Sequence, residues 1–428
     1  MKTEQQQIIE LIKSEVIPAM GCTEPIAVAL CVAKATELLG SRPEKIDLYL
    51  SSNIIKNAMG VGIPGTGGKI GLPIAIALGA TMGKSEYQLE VLKGCTPEMV
   101  ENAEKMINDG IISISLKDTP ERLYIETHCS AGNDRAVATI ACNHTNFVYL
   151  AKNDDIIADK LSTLQEGESS DCEIKLKLQK VWDFAMTTPI DDLRFILQTR
   201  DLNDAVSKEA LRNKFGHDVG STILKSKKKY NMFGDSIYMH ILARTASACD
   251  ARMAGCPMAV MSNSGSGNQG ISATMPVVSY AEDTNATEEQ LIRALTLSHL
   301  TVIYIKQSLG RLSALCGCVV AATGSACGIT YLMGGEYTQA QYAVKNMAAT
   351  LTGMLCDGAK PSCALKVASG VSTAVTCALL AMEGHTVTSA EGIINDDVDI
   401  SITNMTKIGK DGMIDTDRLV LDIMINKQ

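Results

Sequence analysis

Between Ile111 and Leu150 the chain runs in short alternating stretches, IISISL, RLYIETHC, RAVATIAC and NFVYLA, parted by turn residues such as Ala131-Gly132-Asn133-Asp134. Alternation with a period of two requires strands. Beyond Val181 that pattern all but disappears, and helical runs follow one another between Gly/Ser turns with small residues on every face. The expected fold class is therefore α+β: a small N-terminal α+β domain over residues 1–160, then a large all-helical domain over 161–428. No internal repeat is visible, and 428 residues suffice for a large core.

Ahead of the strand region, Ile8, Ile9, Leu11, Ile12 and Val16 form a helical stripe that Pro18 ends. In MGCTEPIAVALCVAKATELLG, Thr23 is the expected N-cap, Glu24 suits the positive helix end and Pro25 sits in the first turn. Cys22 is thereby placed just before a helix N-terminus. KIDLYLSS reads as a strand, and a glycine-rich loop leads to the apolar helix LPIAIALGA. Residues 152–178 are charged and polar and read as a linker or surface helix. Leu312 to Gly335 carries no charge for 24 residues, but its many Gly, Ser and Thr favour a buried helix pair over a membrane span.

Composition removes several classes of function. The chain is 46% hydrophobic and 20% charged, which excludes intrinsic disorder. Aromatics are 4%, with Trp182 the single tryptophan, too few for stacking on bases or sugars. Net charge is −9, so nucleic acid and anionic membranes are not expected partners. The N-terminus MKTEQQQIIELIKSE does not read as a signal peptide, which points to the cytoplasm. Fourteen cysteines in such a chain are then reduced thiols: about ten fillers, the rest ligands or reactive groups.

Two glycine loops resemble nucleotide-binding signatures and fail on context. GSGNQG, Gly265 to Gly270, satisfies G-x-G-x-x-G, but Pro276 follows and no parallel-sheet pattern surrounds it. The longer string SNSGSGNQGISATMP is better read as an anion-holding nest suited to a substrate carboxylate, or as an ordinary helix-breaking turn. PGTGGK departs from a phosphate loop at Ile63 and Ile70, leaving Thr66 and Lys69 as weak candidates for holding a carboxylate.

Among the C-terminal cysteines, Cys356 and Cys363 share the loop segment MLCDGAKPSC, whereas Cys377 lies in an apolar helical run. A third thiolate from the CGC pair Cys316/Cys318 would complete a three-cysteine site leaving one iron of a cluster open. No C-x-x-C occurs, so zinc ribbons and ferredoxin spacing are unsupported. Cys22 at a helix N-terminus is expected to have a lowered pKa and to serve as base, nucleophile or ligand, unless it is only a small packing residue. The six histidines form no H-x-x-x-H pair and no Ser–His–Asp signature stands out.

MGCTEPIAVAL, NAMGVGIPGTGGKIGLPIAIALGA, SNSGSGNQGISATMPV and MLCDGAKPSCALKVASGVSTAV together resemble the bacterial and archaeal L-cysteine desulfidases along nearly the whole chain. More distantly, both halves look like the iron–sulfur L-serine dehydratases. The resemblance implies a [4Fe–4S] lyase without pyridoxal phosphate, in which the helical domain carries the cluster on Cys316, Cys356 and Cys363. Cys318 is the rival for the first position. It also implies Cys22 at the active site; the Cys22 thiolate is then the expected base, and Thr66, Lys69, Ser264, Ser266 and Asn268 are expected to orient the substrate carboxylate and amine. The dehydratases cap their open iron with a C-terminal cysteine, and this chain ends MINKQ.

The function implied is β-elimination of L-cysteine to pyruvate, ammonia and hydrogen sulfide by a cytoplasmic enzyme, with a homodimer as the expected assembly. Serine or threonine dehydration by the same chemistry is the alternative within the class. A non-catalytic thiol-redox or metal-binding protein is the alternative outside it.

Overall fold

The computed structural model describes residues 3–161, 174–230, 232, 234–310 and 313–427. Its strands are β1 (Pro18–Met20), β2 (Lys45–Leu50), β3 (Ile112–Leu116), β4 (Tyr124–Ala131), β5 (Asp134–Ala141), β6 (Phe147–Lys152), β7 (Asp155–Asp159) and β8 (Ala259–Met261). Six of them form one mixed sheet in the order β3-β2-β4-β5-β6-β7, parallel between β2 and β3 and antiparallel elsewhere. Register aligns the apolar positions on one face: Ile46 opposite Cys129, Leu48 opposite Thr127, and Leu50 opposite Ile125, which in turn faces Ile140. These residues are buried under the Thr23–Leu39 helix, against which the Leu72–Met82 helix packs in turn, giving the small domain its own core.

Strand β7 lies where a linker or surface helix was expected. It is an edge strand with one neighbour and leaves Ile156 and Ile157 exposed. An edge with no face to bury has no need of alternation, so the period-two signal fades there. Most of the remaining polar stretch, residues 162–173, lies outside the described residues.

The rest is helical, as the small-residue pattern predicts. Five helices, Ile237–Met253, Gly267–Asp283, Glu288–Leu309, Gly317–Leu332 and Cys363–Met382, enclose one large core. Gly317–Leu332 is its centre, with every residue from Cys318 to Thr330 buried. It is one helix rather than the expected pair, and Leu312, the start of the uncharged run, lies outside the described residues. Hydroxyls tolerate this burial by donating to the carbonyl four residues back, as Thr323 does to Val319, Thr330 to Ala326 and Thr301 to Leu297. Cys363–Met382 is long and apolar enough to cross a membrane, and half of its apolar span is buried inside the protein.

Two elements tie the domains together. The first helix, Glu4–Glu15, turns Ile8 and Ile12 into the helical core rather than onto the sheet. Directly after it, β1 pairs antiparallel with β8, aligning Pro18 with Met261 and Met20 with Ala259. That pairing sets the segment carrying Cys22 beside the loop that opens the Gly267–Asp283 helix.

One buried carboxylate gives a pH signature. Asp250 accepts the Gly220 N–H at 3.0 Å through Oδ2, and its Oδ1 has no partner. Burial raises its pKa from the ordinary carboxylate range to about 7. A raised folded-state value means that the stability contribution is full below the unfolded pKa and is lost as pH rises through about 7. Asp250→Asn is therefore expected to gain about 1–3 kcal/mol relative to the parent between pH 5 and pH 8 in chemical denaturation. A pH-independent difference would refute that assignment.

Candidate functional site

Two loops bring the C-terminal cysteines together. Leu315 and Leu355 form an isolated antiparallel bridge, in which the Cys316 N–H donates to Met354 O at 2.9 Å and the Cys356 N–H to Ala314 O at 2.7 Å. Cys316 is the N-cap of Gly317–Leu332 and Cys363 the first residue of Cys363–Met382, so both thiols stand at helix starts. The Cys363 thiol donates to Gly358 O at 3.6 Å. Lys366, one turn into that helix, donates to Leu355 O at 2.8 Å and pairs with Asp357, which also binds Lys360 at 3.0 Å.

The thiols in this pocket act on one another. Burial pushes the Cys363 thiol up to about 11, with the Cys356 and Cys316 charges adding to the rise. Burial raises Cys356 as well, and Cys316 adds to it. Cys316 goes the other way, down to about 7, because the Cys318 thiol donates to it and Lys366 lies near. Cys249, from the Ile237–Met253 helix, joins the same set, raised by burial and by Cys363. Thiols collected where ionising one hinders the next suit a cationic iron–sulfur core that offsets their combined charge. Among the described residues no three His, Cys, Asp or Glu side chains converge tightly enough for a single ion. The donors gathered here are thiols, the donor type that an iron–sulfur cluster would take, and Cys316, Cys356 and Cys363 would hold it.

The opposite wall comes from the small domain. Gly358, at φ +89°, has its Cα so close to Lys56 O that an added Cβ would lie 2.0 Å from it. Lys56 itself is buried and pairs with Asp417 of the Ile414–Ile425 helix, so the C-terminal helix is pinned beside the cysteine loop.

Cys22 is itself the N-cap of Thr23–Leu39, a role expected of Thr23. Its thiol donates to Glu24 Oε2 at 2.9 Å, and Thr23 Oγ1 donates to the same oxygen at 3.1 Å. The expectation of a lowered pKa fails: burial and the Glu24 charge push Cys22 well above the ordinary thiol value, against a smaller lowering from Arg252. The helix end offers too little to offset complete desolvation beside a carboxylate.

The SNSGSGNQG segment is a turn closed by a bridge between Asn263 and Ser266, with Ser264 at φ +48°. The helix it opens runs for 17 residues through Pro276, longer than expected, while β8 pairs antiparallel with β1. No βαβ unit is formed there. Ser266 is the N-cap, accepting the Gln269 N–H, and the Ser264 hydroxyl donates to Asn263 Oδ1 at 2.8 Å. Behind the turn lies His299, unassigned in the sequence. Thr274 donates to Gly270 O and so accepts from His299 Nε2 at 2.9 Å, leaving Nδ1 to accept from Asn263 Nδ2 at 3.0 Å. Burial lowers the His299 pKa to about 3, so it is a neutral brace for the turn.

Arg252 was also missed. It is buried, donates to Asn268 Oδ1 at 3.1 Å and to Gly21 O at 2.9 Å, and thus joins the Cys22 segment to the turn. Its sequence signal is a charge within the small-residue run ASACDARMAG, which periodicity alone cannot distinguish from a helix's exposed face.

The PGTGGK residues are engaged elsewhere. Thr66 Oγ1 donates to Ile63 O at 2.7 Å and to Lys69 O at 3.3 Å, closing its own turn. Lys69 is half-exposed and pairs with Glu104. A cleft of about 660 Å³ lined by Thr36, Glu37, Arg42 and Lys105 shares no residue with the cysteine site.

Comparison with known proteins agrees with this architecture. Residues 86–422 match the family described as serine dehydratase alpha chain. A UPF0597 protein of Phocaeicola vulgatus is 63% identical over 428 residues, covering 100% of this chain and 99% of its own. One from Bacteroides thetaiotaomicron is 62% identical over the same span, and one from Oleidesulfovibrio alaskensis is 43% identical with both chains fully covered. With nearly four-fifths of its length inside the family match and relatives aligned end to end, the chain belongs to the iron–sulfur serine dehydratase-like family.

Proposed function

We propose that this chain is a cysteine desulfidase, eliminating hydrogen sulfide from L-cysteine with a [4Fe–4S] cluster on Cys316, Cys356 and Cys363 and without pyridoxal phosphate. The observation that carries the reading is the gathering of those three thiols around the Leu315–Leu355 bridge. Cys316 is preferred to Cys318 because it flanks the bridge directly, whereas Cys318 lies inside the helix against Gly370. When bound, the cluster supplies a Lewis-acidic iron that makes sulfide a better leaving group.

The chain's own groups handle the proton. Cys22 Sγ takes the α-proton as the thiolate, and Glu24 Oε2, 2.9 Å away, accepts the S–H hydrogen bond that holds the sulfur in place. The electrons of the broken Cα–H bond form the Cα–Cβ double bond as the Cβ–S pair leaves with sulfur. The aminoacrylate released tautomerises and hydrolyses to pyruvate and ammonia.

The family description favours one second reading, dehydration of L-serine or L-threonine at the same site. Anaerobic assays with each amino acid separate the two. The proposal expects kcat/KM for L-cysteine at least about 100-fold above that for L-serine, a difference of about 2.7 kcal/mol at the transition state. The reverse ranking would establish the dehydratase.

A further inference from the structure

We infer that Arg252 and Gln269 form the receptor for the two charged ends of an α-amino acid, Arg252 taking the carboxylate and the Gln269 amide oxygen the α-ammonium. The inference rests on the lyase reading above and names the groups that recognise its substrate.

Arg252 is 6% exposed, and among the described residues its guanidinium donates to an amide oxygen and a backbone carbonyl rather than to a carboxylate. Its two acceptors among the described residues, Asn268 Oδ1 and Gly21 O, are both neutral, and its Nε–H has no partner. A buried guanidinium without an anion is costly unless an anion arrives. The side chain packs on the first residue of the Gly267–Asp283 helix so closely that a Cβ on Gly267 would lie 2.2 Å from Nε. Cation and helix N-terminus thus act on the same small region and both favour a carboxylate.

Gln269 is 5% exposed, and its Oε1 is likewise without a partner. An unpaired acceptor is what an ammonium donor requires. Its side chain lies over Gly317, where an added Cβ would come within 2.9 Å of Nε2, next to Cys316. The pair therefore bridges the interval between Cys22, whose charge interacts with Arg252, and the cysteine pocket. A zwitterion held across this interval presents its side chain toward the cysteine set and its α-carbon toward Cys22. Ser264 and Ser266 then shape the turn and Asn268 steadies Arg252, in place of the direct substrate contacts expected of them.

The test uses the full chain prepared anaerobically and L-alanine, which binds through the same two ends but has no leaving group. Calorimetry compares L-alanine with ethylamine, which lacks the carboxylate, and propionate, which lacks the ammonium. The parent is expected to bind L-alanine at least about 30-fold more tightly than either analogue. Arg252→Met is expected to lose the preference over ethylamine while keeping that over propionate, and Gln269→Leu to do the reverse. Arg252→Lys, which keeps the charge but not the fork, covers the case in which Arg252→Met does not fold. It is expected to lose about 10-fold of the preference over ethylamine.

Variants that retain the parent's preferences, or a parent that has none, would overturn the inference. A parent that binds L-alanine in this Arg252-dependent way yet turns over neither cysteine nor serine would leave the receptor standing and remove the lyase reading. A parent that turns over L-cysteine with preferences unaltered in the variants would do the opposite.

Discussion

Cys356→Ala is expected to yield a folded chain that cannot keep its iron: from about four irons per chain in the anaerobic parent to fewer than about one, with turnover below about 1%. The reasoning is geometric. Cys356 lies on the loop side of the Leu315–Leu355 bridge and is only partly buried by protein, so removing its sulfur leaves a small void at the pocket edge. The core does not depend on it, and the helical circular dichroism should match the parent's. Cys377→Ala is the matched control. That cysteine is buried among Ala326, Met347 and Ala374 in a separate cluster, so its loss should lower stability by about 1–2 kcal/mol and leave iron content unchanged. Iron retained in full by Cys356→Ala would remove this residue from the ligand set.

Cys22→Ala should leave the iron and the visible spectrum intact and lower kcat by about 10²–10⁴-fold, the usual worth of a positioned base. Its pH profile carries a sign. Burial and the Glu24 carboxylate hold Cys22 protonated at neutral pH, so the parent's kcat/KM should climb with pH through the alkaline range. Glu24→Gln removes the neighbouring charge, which lowers the thiol pKa and moves the climb to lower pH. It also removes the hydrogen bond that positions the sulfur, so the plateau should fall by about 10-fold or more. A Glu24→Gln profile superimposable on the parent's would mean that the 2.9 Å contact has no part in the reaction.

Much of the architecture could be read from the sequence because two periods divide it. Alternation in YIETHCSA and DRAVATIA produces β4 and β5 with their apolar faces in register, and the small-residue runs produce buried helices. The edge strand β7 was lost because it buries nothing on either face. Packing also divides the chain differently from sequence order: Ile8, Ile12 and Cys22 precede the small domain yet belong to the helical core. No local pattern encodes the β1–β8 pairing that draws them there, since each strand is three residues long and the partners lie over 200 positions apart.

The site shows the same division. The cysteine loop and the Cys22 helix start announce themselves by residue type beside turn and cap signals. The electrostatic surroundings do not. Cys22 was expected at low pKa from the helix end alone, and complete burial beside Glu24 reverses the sign. Arg252 and His299 were invisible as functional groups because their meaning depends on contacts from other elements: Gly21 and Asn268 for one, Asn263 and Thr274 for the other. A polar residue in an apolar helix can be an exposed face, a satisfied core group or a receptor, and only the partners decide.

The central claim is that this fold holds a cluster and uses it on a thiol amino acid. The most direct test is anaerobic purification followed by iron and acid-labile sulfide analysis, with the visible spectrum recorded before and after L-cysteine is added. The account predicts about four irons and four sulfides per chain, a spectral change on adding cysteine, and pyruvate and sulfide released in equal amounts. A chain that stays iron-free and inactive after anaerobic reconstitution would contradict it.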